Sequence, residues 1–166
     1  MESWLNEYAP RRFSDLAIPS GYQETLIKSS LDKNPSHILL AGPSGVGKTI
    51  TWKLLARQVL GPAWELSTHI FQAKDILKTS GAMKSFEDFL RPSGKDSQDT
   101  LAGRMTLSAF DSSMYEAEEG DIPPAGRESN NENPISRLFI IEDADFLGVR
   151  RQSFLRRMME REATVS

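Results

Sequence analysis

The feature that most constrains the fold is a glycine-rich loop inside residues 36–49, Ser-His-Ile-Leu-Leu-Ala-Gly-Pro-Ser-Gly-Val-Gly-Lys-Thr. The apolar run at 38–41 predicts a buried strand, and Lys48 opens a stretch with helical spacing. Strand, loop and helix in this order match the phosphate-binding pattern G-x-x-x-x-G-K-[ST]. A glycine turn that binds nothing is the alternative, and the flanking strand and helix count against it.

Each residue type in this loop suits a polyphosphate. Glycines let successive backbone N–H groups approach a phosphate, and the helix N-terminus adds its own unpaired N–H groups. Lys48 suits the β- and γ-phosphates, and the Thr49 hydroxyl suits Mg²⁺. The sequence therefore predicts a nucleoside triphosphate site with Mg²⁺. Its loop residues are Gly42, Pro43, Ser44, Gly45, Val46, Gly47, Lys48 and Thr49.

Composition is that of an ordinary globular domain, with 166 residues, 39% hydrophobic residues and a formal net charge of -3. No apolar run is long enough to span a bilayer, so no membrane partner is expected. The chain has no cysteine, which excludes thiolate metal sites, and His37 and His69 are expected to be structural. With no export signal either, the sequence suits the cytosol.

Apolar periodicity predicts strands and helices in alternation, the pattern of an α/β fold, and the chain divides into four segments. Ser20 is a candidate cap for the first helix. The predicted helices are 21–31, 48–60 and 149–162, and the predicted strands are 38–41, 66–73 and 138–141. The inward face of the first helix is expected at Tyr22, Leu26 and Ile27, with Leu31 as a further candidate. The inward faces of the other two helices are expected at Trp52, Leu55 and Val59, and at Phe154, Leu155, Met158 and Met159. The segments are 1–35, 36–91, 92–134 and 135–166, and a further helix is expected after the second strand.

Residues 92–134 have a different character from the rest. Between positions 111 and 132 the chain has seven acidic residues against one base, Arg127, and its hydrophobic positions are scattered. This composition is typical of a flexible surface insertion. A partner-binding loop is the alternative.

Two carboxylates, Glu142 and Asp143, follow the third predicted strand. Ligands of such folds lie outside the carboxyl ends of the strands, so this pair is expected to face the triphosphate. Adjacent strand residues point to opposite faces, so one carboxylate can orient Mg²⁺ while the other polarises water. Two acids that only improve solubility are the alternative.

The last predicted helix has an arginine-rich side. At 100° per residue, Arg150, Arg157 and Arg161 align within about 40° on one edge. Such a stripe can follow nucleic-acid phosphates. A solvated face partly neutralised by Glu160 and Glu162 is equally compatible with the spacing.

Three separated blocks resemble the small subunits of replication factor C, clamp loaders of the AAA+ ATPase family, particularly archaeal ones. The blocks are Trp4-Leu-Asn-Glu-Tyr8-Ala-Pro10 with Phe13-Ser-Asp15-Leu16, the loop Gly-Pro-Ser-Gly-Val-Gly-Lys-Thr, and Glu142-Asp-Ala-Asp145 with Gln152-Ser-Phe-Leu-Arg-Arg-Met-Met-Glu160. They cover most of the chain except 92–134.

The resemblance implies a three-layer α/β/α P-loop ATPase with a parallel sheet. Within a ring of related subunits, such an ATPase loads a sliding clamp on primed DNA. It implies ATP and Mg²⁺ as cofactors, and the other subunits, the clamp and primer-template DNA as partners. By the same resemblance, Tyr8, Ala9 and Pro10 lie near the adenine, Glu142 serves the metal, Asp143 serves the attacking water, and Arg150, Arg151, Arg157 and Arg161 contact DNA.

Several departures from the family pattern keep alternatives open. The acidic pair is Glu-Asp rather than Asp-Glu, and Ala9 replaces an arginine. The family continues beyond the position of Ser166 with a sensor strand, an arginine finger and a helical lid, so the sheet is expected to be incomplete at the C-terminus and the isolated chain weakly stable and inactive. The alternatives are a non-hydrolysing structural subunit, an inactive truncated fragment and, least favoured, a small-molecule kinase.

Overall fold

The computed structural model of the protein describes residues 4, 8–32, 35–62, 64–78, 81, 84, 86, 89, 122–129 and 137–163. The chain divides into two compact units. The first comprises Met1–Thr68 and Asp111–Leu138, and the second comprises His69–Phe110 and Phe139–Ser166. No described helix is both long and apolar enough to cross a membrane.

Helices dominate the first unit. A 3-10 helix at Phe13–Asp15 precedes α1 (Ser20–Leu31), α2 (Lys48–Leu60) and the short α3 (Trp64–Ser67). The bounds of α2 match the prediction, because Gly47 and Gly61 flank it with positive φ angles and end the helical backbone on both sides. Side chains from three of these elements form one buried cluster that holds the unit together. Its members are Phe13, Leu16, Leu26, Leu54 and Leu55.

The start and the buried face of α1 differ from the prediction. Pro19, not Ser20, is the N-cap, and no side chain caps the helix, because proline has no side-chain oxygen that could accept a hydrogen bond. Tyr22 is 67% exposed, whereas Leu26 and Ser30 are buried. Ser30 is tolerated there because its hydroxyl donates a hydrogen bond to the Ile27 carbonyl.

The predicted strand at 38–41 is wrong for this structure. These residues have no regular secondary structure, and Leu39 is 82% exposed. A strand requires a neighbouring strand to pair its backbone groups. Among the described residues, only the strands Thr68–Gln72 and Leu138–Glu142 pair with each other.

A two-stranded parallel sheet is the centre of the second unit. Its strands are β1 (Thr68–Gln72) and β2 (Leu138–Glu142), and β1 begins later than predicted because α3 occupies the preceding residues. A 3-10 helix follows each strand, at Ala73–Lys78 and Ala144–Phe146, and α4 (Val149–Ala163) ends the described chain.

The core of the second unit lies on one face of this sheet. Ala73, Phe86 and Leu147 are buried there. Phe154 and Leu155 of α4 pack against them, as predicted, and Met158 and Met159 are half-buried on the same helix. The inward face predicted for the last helix is therefore confirmed where its contacts are described.

The predicted insertion is described only in part. Within 92–134, residues 122–129 form turns in the first unit, and Pro124 is buried. The remaining residues of the insertion, and most of the helix predicted after the second strand, lie outside the described residues. The flexibility of the insertion as a whole stays a prediction.

Candidate nucleotide-binding site

The glycine-rich loop has a backbone that its glycines require. Gly47, the N-cap of α2, has φ 91° and ψ 16°, a left-handed conformation that residues with a Cβ rarely adopt. A Cβ at Gly42 would lie 3.1 Å from Cγ2 of Val46 and crowd it. The glycines therefore leave the loop uncrowded and give its backbone left-handed turns, as the predicted phosphate-binding loop requires.

The side chain of Lys48 is hydrogen-bonded to the backbone of the glycine-rich loop. Nζ of Lys48 donates hydrogen bonds to the carbonyl oxygens of Gly42 (2.8 Å) and Pro43 (2.7 Å). Its ammonium group is thus held beside the loop that the sequence assigns to phosphate. Thr49 is exposed in the first turn of α2.

The start of α2 offers backbone donors as well. The amide of Thr51 bonds to the Gly47 carbonyl at 3.0 Å, and the amides that precede Thr51 have no partner one turn earlier within the helix. Unpaired amides, a nearby ammonium and an exposed hydroxyl together fit a phosphate group with a divalent cation. Ser44, Gly45 and Val46, the middle of the loop, are exposed.

Residues 8–10, predicted near the adenine, lead into the buried core of the first unit. Tyr8 is 74% exposed, while Ala9 and Pro10 are half-buried. They precede Phe13, which belongs to the same buried cluster as Leu54 and Leu55 of α2. No hydrogen bond joins residues 8–10 to the loop in the described part of the chain, so their position at a base stays a prediction.

The acidic pair lies in the second unit and does not continue a strand. Glu142 is the last residue of β2, whereas Asp143 has φ 53° and ψ 45°. The expectation that the two carboxylates alternate across a strand is therefore wrong, because Asp143 adopts the left-handed conformation that aspartate tolerates. The two side chains are held separately. The side-chain amide of Gln72 donates to Glu142, and Nζ of Lys74 lies 2.9 Å from Oδ2 of Asp143.

Lys74 is a site residue that sequence reasoning missed. Its hydrogen bond to Asp143, and the charge of that carboxylate, raise the pKa of Lys74 above the ordinary lysine value. The ammonium also lies 5.4 Å from the centre of the Phe146 ring. The only signal in the sequence is a lysine just after a strand, and its partner follows the other strand of the sheet.

The sequence-predicted residues therefore fall into two groups. The loop and residues 8–10 belong to the first unit, and Glu142 and Asp143 belong to the second. Their joint action on one ligand stays a prediction. Among the described residues, no three His, Asp or Glu side chains cluster as metal ligands. The rings of His69 and Phe139 stack with their centres 5.2 Å apart, which agrees with a structural role for His69. His37 is exposed, and its role stays a prediction.

The arginines of α4 occupy different environments. Arg150 and Arg157 are exposed, whereas Arg151 is half-buried and the side chain of Arg161 lies outside the described residues. Glu160 pairs with Arg156 at 3.1 Å, so this acid lies against an arginine outside the predicted stripe. Contact with DNA stays a prediction.

Comparisons with known proteins agree with the loop geometry. Residues 1–92 match the model of the Rad17 P-loop domain. The replication factor C subunit 2 of Phaeosphaeria nodorum is 25% identical over 162 residues, covering 96% of this chain and 37% of that protein. The replication factor C small subunit of Methanocella arvoryzae is 31% identical over 90 residues, covering 54% and 28% respectively.

These relatives confirm the predicted resemblance to replication factor C small subunits, including archaeal ones. The chain spans 28% to 37% of the length of the two relatives just described. The family match covers more than half of the chain and includes the whole glycine-rich loop, and the helices and parallel sheet agree with an α/β P-loop fold. The chain belongs to the Rad17 P-loop domain family.

Proposed function

We propose that this chain is the ATP-binding part of a clamp-loader subunit. The observation that carries the proposal is the loop itself, with Lys48 held at two loop carbonyls and Gly47 turning the backbone into α2. Family membership supports a nucleoside triphosphate as the ligand. The names of the relatives, replication factor C subunits, support a ring of related subunits as the setting.

In this proposal each site residue has one task. Lys48 binds the β- and γ-phosphates, and the loop amides bind the remaining phosphate oxygens. Thr49 and Glu142 are the residues that would hold Mg²⁺, and the ion would neutralise phosphate charge. Asp143 accepts a proton from the attacking water, and residues 8–10 flank the adenine.

Binding of a fluorescent ATP analogue with Mg²⁺ tests the proposal. Lys48→Ala removes the ammonium group and is expected to weaken binding at least about a hundredfold, because charge-assisted contacts to phosphate are lost. Lys53→Ala is the matched control, since Lys53 is an exposed lysine on the same helix. Equal binding by the parent and Lys48→Ala would contradict the proposal.

A second candidate is a structural subunit that binds ATP without hydrolysing it. The observation that favours it is the engagement of both carboxylates, Glu142 with Gln72 and Asp143 with Lys74. Asp143 is also one methylene shorter than the glutamate that the clamp-loader pattern has there.

Turnover in the assembled ring separates the two candidates. Asp143→Asn removes the proton acceptor, and asparagine tolerates the same left-handed backbone. A hydrolysing subunit is expected to lose at least about a hundredfold in turnover. Unchanged turnover of a ring that binds ATP would favour the structural subunit.

A further inference from the structure

A buried glutamine connects α2 to a segment far along the chain. Gln58 is 6% exposed, and both ends of its side-chain amide are used. Oε1 accepts a hydrogen bond from the Ala125 amide at 2.8 Å, and Nε2 donates one to the Arg127 carbonyl at 3.0 Å. One side chain thus satisfies two backbone groups of residues 122–129, in the way that a neighbouring strand would.

The same segment contacts the chain just after the predicted base-side residues. The amide of Phe13 donates to the Pro124 carbonyl at 3.0 Å. Phe13 is fully buried, Pro124 is buried, and Ala125 packs against the core cluster that Phe13 shares with α2. The buried Phe13 amide therefore has its partner in this segment.

The segment has a shape suited to these contacts. The Gly126 amide bonds to the Pro123 carbonyl at 2.8 Å and closes a turn, and Gly126 has φ 78°. Two consecutive prolines, Pro123 and Pro124, restrict the backbone before it folds and lower the entropy cost of ordering it. Such a turn presents the Ala125 amide and the Arg127 carbonyl to one side-chain amide.

We propose that residues 122–129 are an intramolecular strap, anchored by Gln58, that positions the base-side residues 8–10 against α2. The strap is hydrogen-bonded to Gln58 of α2, the helix that follows the glycine-rich loop, and to the amide of Phe13. Gln58 touches no ligand in this scheme and is a positioning residue. The part of the inference that concerns nucleotide affinity rests on the proposed function, and the strap itself does not.

Amide hydrogen exchange on the full chain tests the strap directly. In Gln58→Ala the amides of Ala125 and Phe13 are expected to exchange at least about tenfold faster than in the parent, because the bonds that hold the strap are lost. Gln23→Ala is the matched control, since the Gln23 side chain donates to a carbonyl of the first unit, that of Leu16 at 2.8 Å, and its described hydrogen bonds do not involve the strap. It is expected to leave exchange at Ala125 unchanged.

Two further variants keep the test decisive if Gln58→Ala does not fold. Gln58→Glu keeps the acceptor for Ala125 and loses the donor to Arg127. Replacement of residues 122–129 by a glycine-serine linker of equal length removes the strap and leaves α2 intact. Unchanged exchange of the Phe13 amide in the linker variant would overturn the strap.

Comparison of two ligands, ATP and inorganic tripolyphosphate, then separates an effect on residues 8–10 near the base from an effect on phosphate binding. Gln58→Ala is expected to weaken ATP about fivefold and to leave inorganic tripolyphosphate unchanged, since the latter has no base. Equal weakening of both would overturn the role in positioning residues 8–10. If the parent bound neither ligand, the proposed function would fail, while the exchange result would still decide whether the strap exists.

Discussion

Lys74 and Asp143 form an ion pair that joins the residues just after the two strands of the sheet, with Nζ 2.9 Å from Oδ2. Both side chains are partly exposed, at 53% and 37%, so the pair adds little to stability. Its importance is chemical. The carboxylate proposed to accept a proton from water already has a cation at hydrogen-bond distance.

The first prediction concerns the protonation of Lys74. Asp143→Asn is expected to lower the pKa of Lys74, because the hydrogen bond and the charge of Asp143 are the main causes that raise it. The pKa of Lys74 is higher in the folded state than in the unfolded state. The pair therefore contributes its full stability below the ordinary lysine pKa, and this stability is lost as pH rises through the raised pKa. An NMR titration of the Lys74 ammonium measures this shift.

Asp145→Asn is the control for that titration. Asp145 also raises the pKa of Lys74, but it contributes less than Asp143 does. A fall in the Lys74 pKa that is as large in Asp145→Asn as in Asp143→Asn would show that the ion pair is not its main cause.

The second prediction compares two glycines with different backbone conformations. Gly47→Ala is expected to destabilise the chain by about 1–2 kcal/mol and to weaken nucleotide binding, because Gly47 has a left-handed backbone. Gly21→Ala is expected to stabilise it by up to about 1 kcal/mol, since Gly21 lies within α1 and a Cβ there meets nothing within 4 Å. Urea unfolding measures the change in unfolding free energy for both variants. A Gly21→Ala variant that is less stable than Gly47→Ala would contradict the loop geometry.

The third prediction compares two leucines. Leu54 is 3% exposed and Leu39 is 82% exposed. Leu54→Ala is expected to cost about 2–4 kcal/mol of unfolding free energy, because it leaves a cavity in the core. Leu39→Ala is expected to change stability by less than about 0.5 kcal/mol. A large loss in Leu39→Ala would show that residues 38–41 are packed after all.

The fourth prediction tests the arginines of α4 on DNA. Arg157→Gln, in the assembled ring, is expected to weaken binding to primer-template DNA about equally for all DNA sequences. It is also expected to lower the slope of the logarithm of the binding constant against the logarithm of salt concentration by about one. Arg156→Gln is the control, since Arg156 pairs with Glu160. Equal effects of the two substitutions would indicate a general charge effect and no phosphate contact by the stripe.

Local patterns determined the parts of the structure that depend on neighbours in the chain. The bounds of α2 follow from Gly47 and Gly61 on either side of a helical pattern, and the glycine-rich loop follows from its own spacing. Phe154 and Leu155 face the core because helical periodicity places them on one side of α4. The family resemblance likewise rests on contiguous blocks.

Only the tertiary structure decided the features whose partners are distant in sequence. Residues 38–41 have the apolar run of a strand, yet a strand needs a paired neighbour, and none is present in the described part of the chain. Gln58 is polar on a mostly apolar helix, and its partners lie 67 and 69 positions later. Lys74 meets Asp143 only because β1 and β2 are adjacent. Hydrogen bonds and ion pairs between distant segments leave no periodic trace in a sequence, so no local pattern could have predicted them.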